Sequence, residues 1–253
     1  MEKLISELIR LYLLPDSPAA QALAQRAAGA PCADVELALD GRTRAIAIPF
    51  RKTAPADAGH WDRLCTVANG LQAEFGFPAP AVSVASSGGF VLWLSLAAPV
   101  PLAQARRFLE GLGRQWPDAL PAAALPADTV GTVVQLPPCL DGATGKWAAF
   151  IHPGMGASFA DESGLDMAPP VAGQVAFLDG LDSIAADAFG AALDRLEPAP
   201  AVPAVPLQPV QAAGSAGATP DGLLLKDATL DDIVRWLHAR HIEPTFRHVL
   251  SRD

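Results

Sequence analysis

Val82-Ser-Val-Ala-Ser-Ser-Gly-Gly-Phe-Val-Leu-Trp-Leu-Ser-Leu96 is the stretch on which the reading of the fold turns. Two apolar runs flank Ser86, Ser87, Gly88 and Gly89, the pattern of a strand, a tight turn and a second strand. Small residues at the turn let a backbone approach a ligand closely. An amphipathic helix is expected to follow, over about residues 101–113. Its buried stripe is Leu102, Ala105, Phe108, Leu109 and Leu112, with Arg106 and Arg107 pointing elsewhere.

Upstream, Trp61, Leu64, Cys65, Ala68 and Leu71 predict a helix over about 58–75, stopped by Gly76. Before it, the runs 34–39 and 43–50 are joined through Asp40-Gly41, which predicts a hairpin. Alternation places Val35, Leu37 and Leu39 on one face of its first strand, and Asp34 and Glu36 on the other. Pro49 near the end of the second run suits an edge or a strand end. The chain begins with a helix carrying Leu4, Ile5, Leu8, Leu11 and Tyr12 on one side, ended by Pro15. A second helix, about 18–28, is introduced by Asp16-Ser17-Pro18.

Downstream, 117–128 is a Pro/Ala loop, and 129–136 and 146–151 are expected strands. Residues 152–172 look irregular, and 174–195 carry a helical pattern. From Glu197 to Pro220 the composition shifts to Pro, then Ala, Gly and Ser, which marks a linker of polyproline II character. In the last segment Thr229 and Asp232 form a capping box ahead of Leu230, Ile233, Val234 and Leu237. The expected organisation is therefore a body over 1–196, a linker over 197–220 and a helical tail over 221–253. Within the body, helices fill 1–30 and the core runs from 34 to 196.

The 253 residues carry a net charge of −9, and 51% are hydrophobic. A chain whose main task is gripping nucleic acid shows a basic excess, so any polyanion contact here must be local. Cys32, Cys65 and Cys139 are few and far apart. That spacing argues against zinc and a disulfide framework, and fits a reducing compartment. The N-terminal run is broken by Glu2, Glu7 and Arg10, unlike a secretory signal, and no apolar run reaches about 18 residues. The expected location is cytoplasmic, with no membrane contact.

Familiar chemistry is largely excluded. Gly142-Ala-Thr-Gly-Lys146 has the wrong spacing for a phosphate loop, and no G-x-G-x-x-G occurs. Ser86-Ser87-Gly88-Gly89 is not G-x-S-x-G, and a strand follows it where a hydrolase elbow needs a helix. His152 lies ahead of Asp161, Glu162 and Asp166, an oxygen-rich set whose plainer reading is a solvated loop. Asp34, Glu36 and Asp40 line one face of a strand, as two-metal phosphoryl transfer requires, although an exposed hairpin face has the same pattern. His238, His241 and His248 suit a helix end and tail.

The region from about Thr43 to Ile184 resembles the catalytic domain of archaeo-eukaryotic-type primases, chiefly the bacterial branch found in mobile-element and conflict-system proteins. That family carries an Ala-Ile-Asp-Phe-Asp strand, a helix, a Ser-Gly-x-Gly-x-His-x-Trp hairpin and a helix with an Ala-Arg pair. Here the order is Ala47-Ile48-Pro49-Phe50-Arg51, the 58–75 helix, Ser86-Ser-Gly-Gly-Phe-Val-Leu-Trp93 and Ala105-Arg106. Gln135-Leu-Pro-Pro138, Gly145-Lys-Trp-Ala-Ala-Phe-Ile151 and Gln174-Val-Ala-Phe-Leu178 follow the family's later spacing.

The resemblance implies an α/β (α+β) body with a mixed, largely antiparallel sheet flanked by helices. It also places the family's two metal-binding Asp positions on Pro49 and Arg51, and its nucleotide-contacting His on Val91. None of these side chains can replace the original, so the first expectation is a catalytically inactive primase-like protein that needs no cofactor. It would bind a nucleotide or single-stranded nucleic acid, or regulate, in DNA replication or mobile-element biology. The groove residues expected are Arg51, Lys52, Ser86, Ser87, Gly88 and Gly89, with Arg106 and Arg107 nearby. A second expectation is an active nucleotidyltransferase holding Mg²⁺ or Mn²⁺ on Asp34, Glu36 and Asp141. A third is an adaptor that docks a protein partner through residues 221–253.

Overall fold

The computed structural model describes residues 1–25, 34–52, 57, 59–121, 133–197 and 238. The chain divides into two units, Met1–Ala201 and Val202–Asp253. All elements below belong to the first. Of the expected linker and tail only Glu197 and His238 are described, the latter helical and exposed.

Among the described residues the centre is a six-stranded sheet. Its strands are β2 (Ala38–Leu39), β3 (Arg42–Phe50), β4 (Ala81–Val84), β5 (Phe90–Pro101), β7 (Cys139–Leu140) and β8 (Trp147–Ile151), in the order β2-β3-β5-β4-β8-β7. Every neighbouring pair is antiparallel. Two short strands, β1 (Asp34–Glu36) and β6 (Val133–Gln135), form a separate antiparallel pair. The α+β class is as the sequence implies, and a parallel contact occurs only as the isolated bridge Leu96–Ile184 among the described residues.

Both faces of the sheet are buried, which explains why the strands carry near-continuous apolar runs instead of clean alternation. Ile46, Ile48, Phe50, Val82, Val84, Leu92, Leu94 and Leu96 point to one core. There they meet α3 (His60–Phe75), α4 (Leu102–Gln115) and α6 (Ala186–Leu196). Ala45, Ala47, Ala81, Trp93 and Phe150 point to the other, against α1 (Glu2–Tyr12), α2 (Pro18–Ala24), α5 (Val171–Asp179) and the β1–β6 pair. Small Ala residues on this second face leave room for three aromatic rings. Tyr12 stacks on Phe150 at 5.8 Å and lies 5.3 Å from Trp93. Burial pushes the Tyr12 phenol far above its usual pKa. The indole of Trp93 donates to Ser83 Oγ at 2.8 Å, so its one polar atom is satisfied inside the core.

Three segments differ from the sequence-based expectation. The run 34–39 is not one strand. Asp34–Glu36 pairs with β6, and only Ala38–Leu39 pairs with β3 across the Asp40-Gly41 turn. The break falls at Leu37, whose carbonyl accepts from Thr43 Oγ1 at 3.1 Å instead of from a ladder N–H. The pattern over 174–195 resolves into α5 and α6, separated where Ile184 donates to Ser95 O and accepts from Ala97 N. Those two bonds continue the sheet edge, which no helix interior can do. Residues 153–159 form a 3₁₀ helix within the stretch expected to be irregular. The cysteines were expected to be reduced; among the described ones Cys65 is free, whereas the fully buried Cys139 is disulfide-bonded. Three dispersed cysteines still permit one bridge between segments distant in sequence.

Candidate functional site

The hairpin β4–β5 closes as expected. Ala85 N–H donates to Gly89 O and Gly88 N–H to Ala85 O, both at 3.0 Å. Gly88 and Gly89 have φ of 92° and 82°, values that L-residues with a side chain rarely adopt. Gly89 is also pressed against the end of β3. A Cβ there would lie 2.5 Å from the Phe50 carbonyl oxygen and 3.2 Å from Arg51 Cα. The missing side chain thus brings Arg51 directly beside the turn. Ser87 is exposed, whereas Ser86 is buried. The Ser86 hydroxyl lies 3.1 Å from Asp141 Oδ2 and 3.3 Å from Gln135 Oε1, and its single proton serves one acceptor at a time.

Pro49 and Val91 are direct partners in the β3–β5 register. The positions that resemblance assigns to a metal-binding Asp and to the His therefore face each other, next to Arg51. Arg51 and Lys52 are both exposed. Behind them, Arg63 donates to Arg51 O at 3.1 Å and grips the carboxylate of Asp57 with two bonds, at 2.7 and 3.1 Å. The resulting fork holds the end of β3 in place.

A segment following the 3₁₀ helix crosses the turn. Trp147 and Leu165 exchange backbone hydrogen bonds at 2.8 and 2.9 Å, which anchors residues 161–166 to β8. A Cβ on Gly164 would lie 3.1 Å from Ser86 Cα, and one on Gly88 3.9 Å from Ser163 Cβ. Lys52 Nζ pairs with Asp161 at 2.9 Å, and Lys146 Nζ pairs with Asp166. The hydrogen bond and charge of Lys52 hold the Asp161 carboxyl below its ordinary pKa, and the bond to Asp166 raises that of Lys146. Asp141 is likewise held low, first by the N–H of Ala143 and then by Ser86.

The structure brings together Arg51, Lys52, Ser86, Ser87, Gly88 and Gly89. It does not bring Arg106 and Arg107 to them. These lie on α4, beyond the far end of β5, and Arg107 pairs with Glu197 after α6. Asp34 and Glu36 are exposed on β1, opposite Gln135 and Val133. Asp34 is thus one residue pair from Ser86 through Gln135, and Glu36 lies two residues further along β1, opposite Val133. Among the described residues no three His, Cys, Asp or Glu side chains gather into a metal-binding group. His152 caps the 3₁₀ helix, its Nδ1 accepting from Gly154 N–H at 3.1 Å. Asp161 and Asp166, its suggested companions, are engaged by lysines.

Two features had almost no signal in the sequence. One is the Ser86–Asp141 contact, formed across 55 residues. The other is His60 at the start of α3. It is completely buried and stacked on Phe90 at 5.3 Å. Burial and the charge of Lys52 lower its pKa, with the nearby Asp57 opposing them. Its position one residue before the apolar stripe of α3 was the single local hint. Among the described residues no helix is long and apolar enough to cross a membrane. No protein-family model matches this chain, and no curated protein matches it.

Proposed function

We propose that the chain is a primase-like protein without phosphoryl-transfer activity, whose Ser/Gly turn and adjacent cations serve as a nucleotide- or single-stranded-nucleic-acid-binding module in DNA replication or mobile-element biology. The observation that carries this reading is the direct pairing of Pro49 with Val91 beside Arg51. A primase site needs its carboxylates and its His at one place, and the residues aligned with them do meet at one place. Carboxylates hold the divalent ions that stabilise charge on a transferring phosphoryl group. Proline has no side-chain ligand atom, arginine repels a cation, and valine cannot hydrogen-bond a phosphate. What the position keeps is two cations, the exposed Ser87 hydroxyl and a turn whose two glycines take positive φ, a combination suited to an anion. The net charge of −9 restricts such binding to this locality.

The reading is tested by thermal denaturation of the full chain with a deoxynucleoside triphosphate and Mg²⁺. A ligand at ten times its Kd raises stability by about 1.4 kcal/mol. The wild type is expected to shift, and the Arg51→Ala/Ser87→Ala variant is expected not to. Absence of any shift at millimolar nucleotide would contradict the proposal. A template-directed product would contradict its non-catalytic part.

A further inference from the structure

Residues 161–166, Asp-Glu-Ser-Gly-Leu-Asp, lie across the turn just described and present two carboxylates to two lysines. Lys52 stands on the Gly89 side, following the Phe50-Arg51 segment that packs on Gly89. Lys146 stands on the Ser86 side, where its Cβ and Ser86 Cα both contact the space beside Gly164. We infer that this strap is a built-in competitor for the turn's anion site, so that a ligand with two adjacent phosphates binds by displacing Asp161 from Lys52 and Asp166 from Lys146. The inference rests on the anion-binding reading of the turn and adds to it both a regulatory contact and a required ligand shape.

The exposures set the direction of entry. Lys52 and Lys146 side chains are 33% and 29% exposed, whereas Asp161 and Asp166 are 89% and 81% exposed. In both pairs the cation is the more covered partner and the carboxylate the outer one, on the side from which a ligand arrives. Displacement needs only the two carboxylate side chains to rotate away. The backbone between them is fixed by the Trp147–Leu165 bonds and by the close seat of Gly164 on Ser86. Solvent-exposed pairs are weak, so each restrains a phosphate by no more than about fivefold in affinity. A doubly charged phosphate group can outcompete such a contact, which makes the strap a threshold and not a block. Two lysines held by two different carboxylates give each of two phosphate groups its own contact to displace.

The test uses the full chain, inorganic pyrophosphate and orthophosphate, titrated calorimetrically. The Asp161→Asn/Asp166→Asn variant is expected to bind pyrophosphate about 3- to 25-fold more tightly than wild type. Orthophosphate affinity should change less. Glu162→Gln removes one negative charge from the same strap without breaking either lysine pair, and is expected to gain less than about twofold. An Asn variant no tighter than wild type overturns the inference, as does an equal gain from Glu162→Gln. If the wild type binds pyrophosphate through Arg51 and Ser87 while the Asn variant gains nothing, only the strap is refuted. If neither protein binds, the anion-binding reading fails with it.

Discussion

Gly88 and Gly89 are chemically identical neighbours, yet substituting each with Ala should have different consequences. Both sit at positive φ, 92° and 82°, where a Cβ costs about 1–3 kcal/mol in backbone strain alone. At Gly88 that is the whole penalty, because the added methyl meets only Ser163 Cβ at an ordinary 3.9 Å. At Gly89 the methyl would sit 2.5 Å from Phe50 O, roughly 0.8 Å inside ordinary C···O contact. The obstacle is backbone of the terminal pair of the β3–β5 ladder, which cannot rotate aside as a side chain could. Relieving it must part Phe50 from its register partner Phe90 and carry Arg51 with it. Overpacking of this kind adds about 1–3 kcal/mol. Gly88→Ala should therefore lose about 1–3 kcal/mol and Gly89→Ala about 2–6 kcal/mol, measured by urea denaturation at unchanged m-value. Gly89→Ala should also weaken phosphate binding more than Gly88→Ala does. Equal losses, or a greater loss at Gly88, would refute the close seating of the turn on β3 that positions Arg51.

Two further perturbations probe the scaffold and its pH response. Gln174 donates to Phe150 O at 2.8 Å and accepts from Phe150 N–H at 3.0 Å, standing in for a strand beyond the end of β7. Gln174→Ala leaves both buried backbone groups unpaired and should lower unfolding free energy by about 2–5 kcal/mol, whereas a loss below about 1 kcal/mol would show that water reaches β8 there. His60 is buried in its neutral form, with its pKa lowered from the usual 6.5 by desolvation, then by Lys52 and Arg63 against the opposing Asp57. The unfolded chain then binds more protons than the folded one as pH drops. Stability should be full above about pH 6.5 and decline below it by up to about 1.4 kcal/mol per pH unit. Asp161, whose carboxyl is held low by Lys52, acts in a separate window below its ordinary 3.8. His60→Phe should flatten the slope between pH 6.5 and 5 in denaturant titrations; an unchanged slope would place the proton uptake elsewhere.

The sheet was legible because its signals are local. The apolar runs flanking Ser86–Gly89, the Asp40-Gly41 turn and the αL Gly76 that ends α3 each specify their own conformation. So do the stripe of α4 and the Ser17 cap of α2, whose hydroxyl accepts from Ala20 N–H. What was missed depends on distant partners. The division of 34–39 is set by Thr43 reaching back to Leu37, and the division of 174–195 by Ile184 joining the edge at Ser95 and Ala97. At the site, the turn and its two neighbouring cations were readable as a unit. The misplacement of Arg106 and Arg107 came from treating a short sequence distance as a spatial one, when β5 carries the chain to the opposite end of the sheet. The strap over the turn could not be read at all, since Asp161 and Asp166 find their lysines 109 and 20 residues away.

Under the proposed function this turn binds a nucleotide and does not act on it. Phosphorus NMR of a deoxynucleoside triphosphate with the full chain, template and Mg²⁺ examines both halves in one sample. The β- and γ-phosphate resonances are expected to shift or broaden with wild type, to stay unchanged with Arg51→Ala/Ser87→Ala, and to persist without an inorganic pyrophosphate signal. Unperturbed resonances with wild type would contradict binding at the Ser/Gly turn, and accumulating pyrophosphate would contradict the loss of chemistry read from Pro49, Arg51 and Val91.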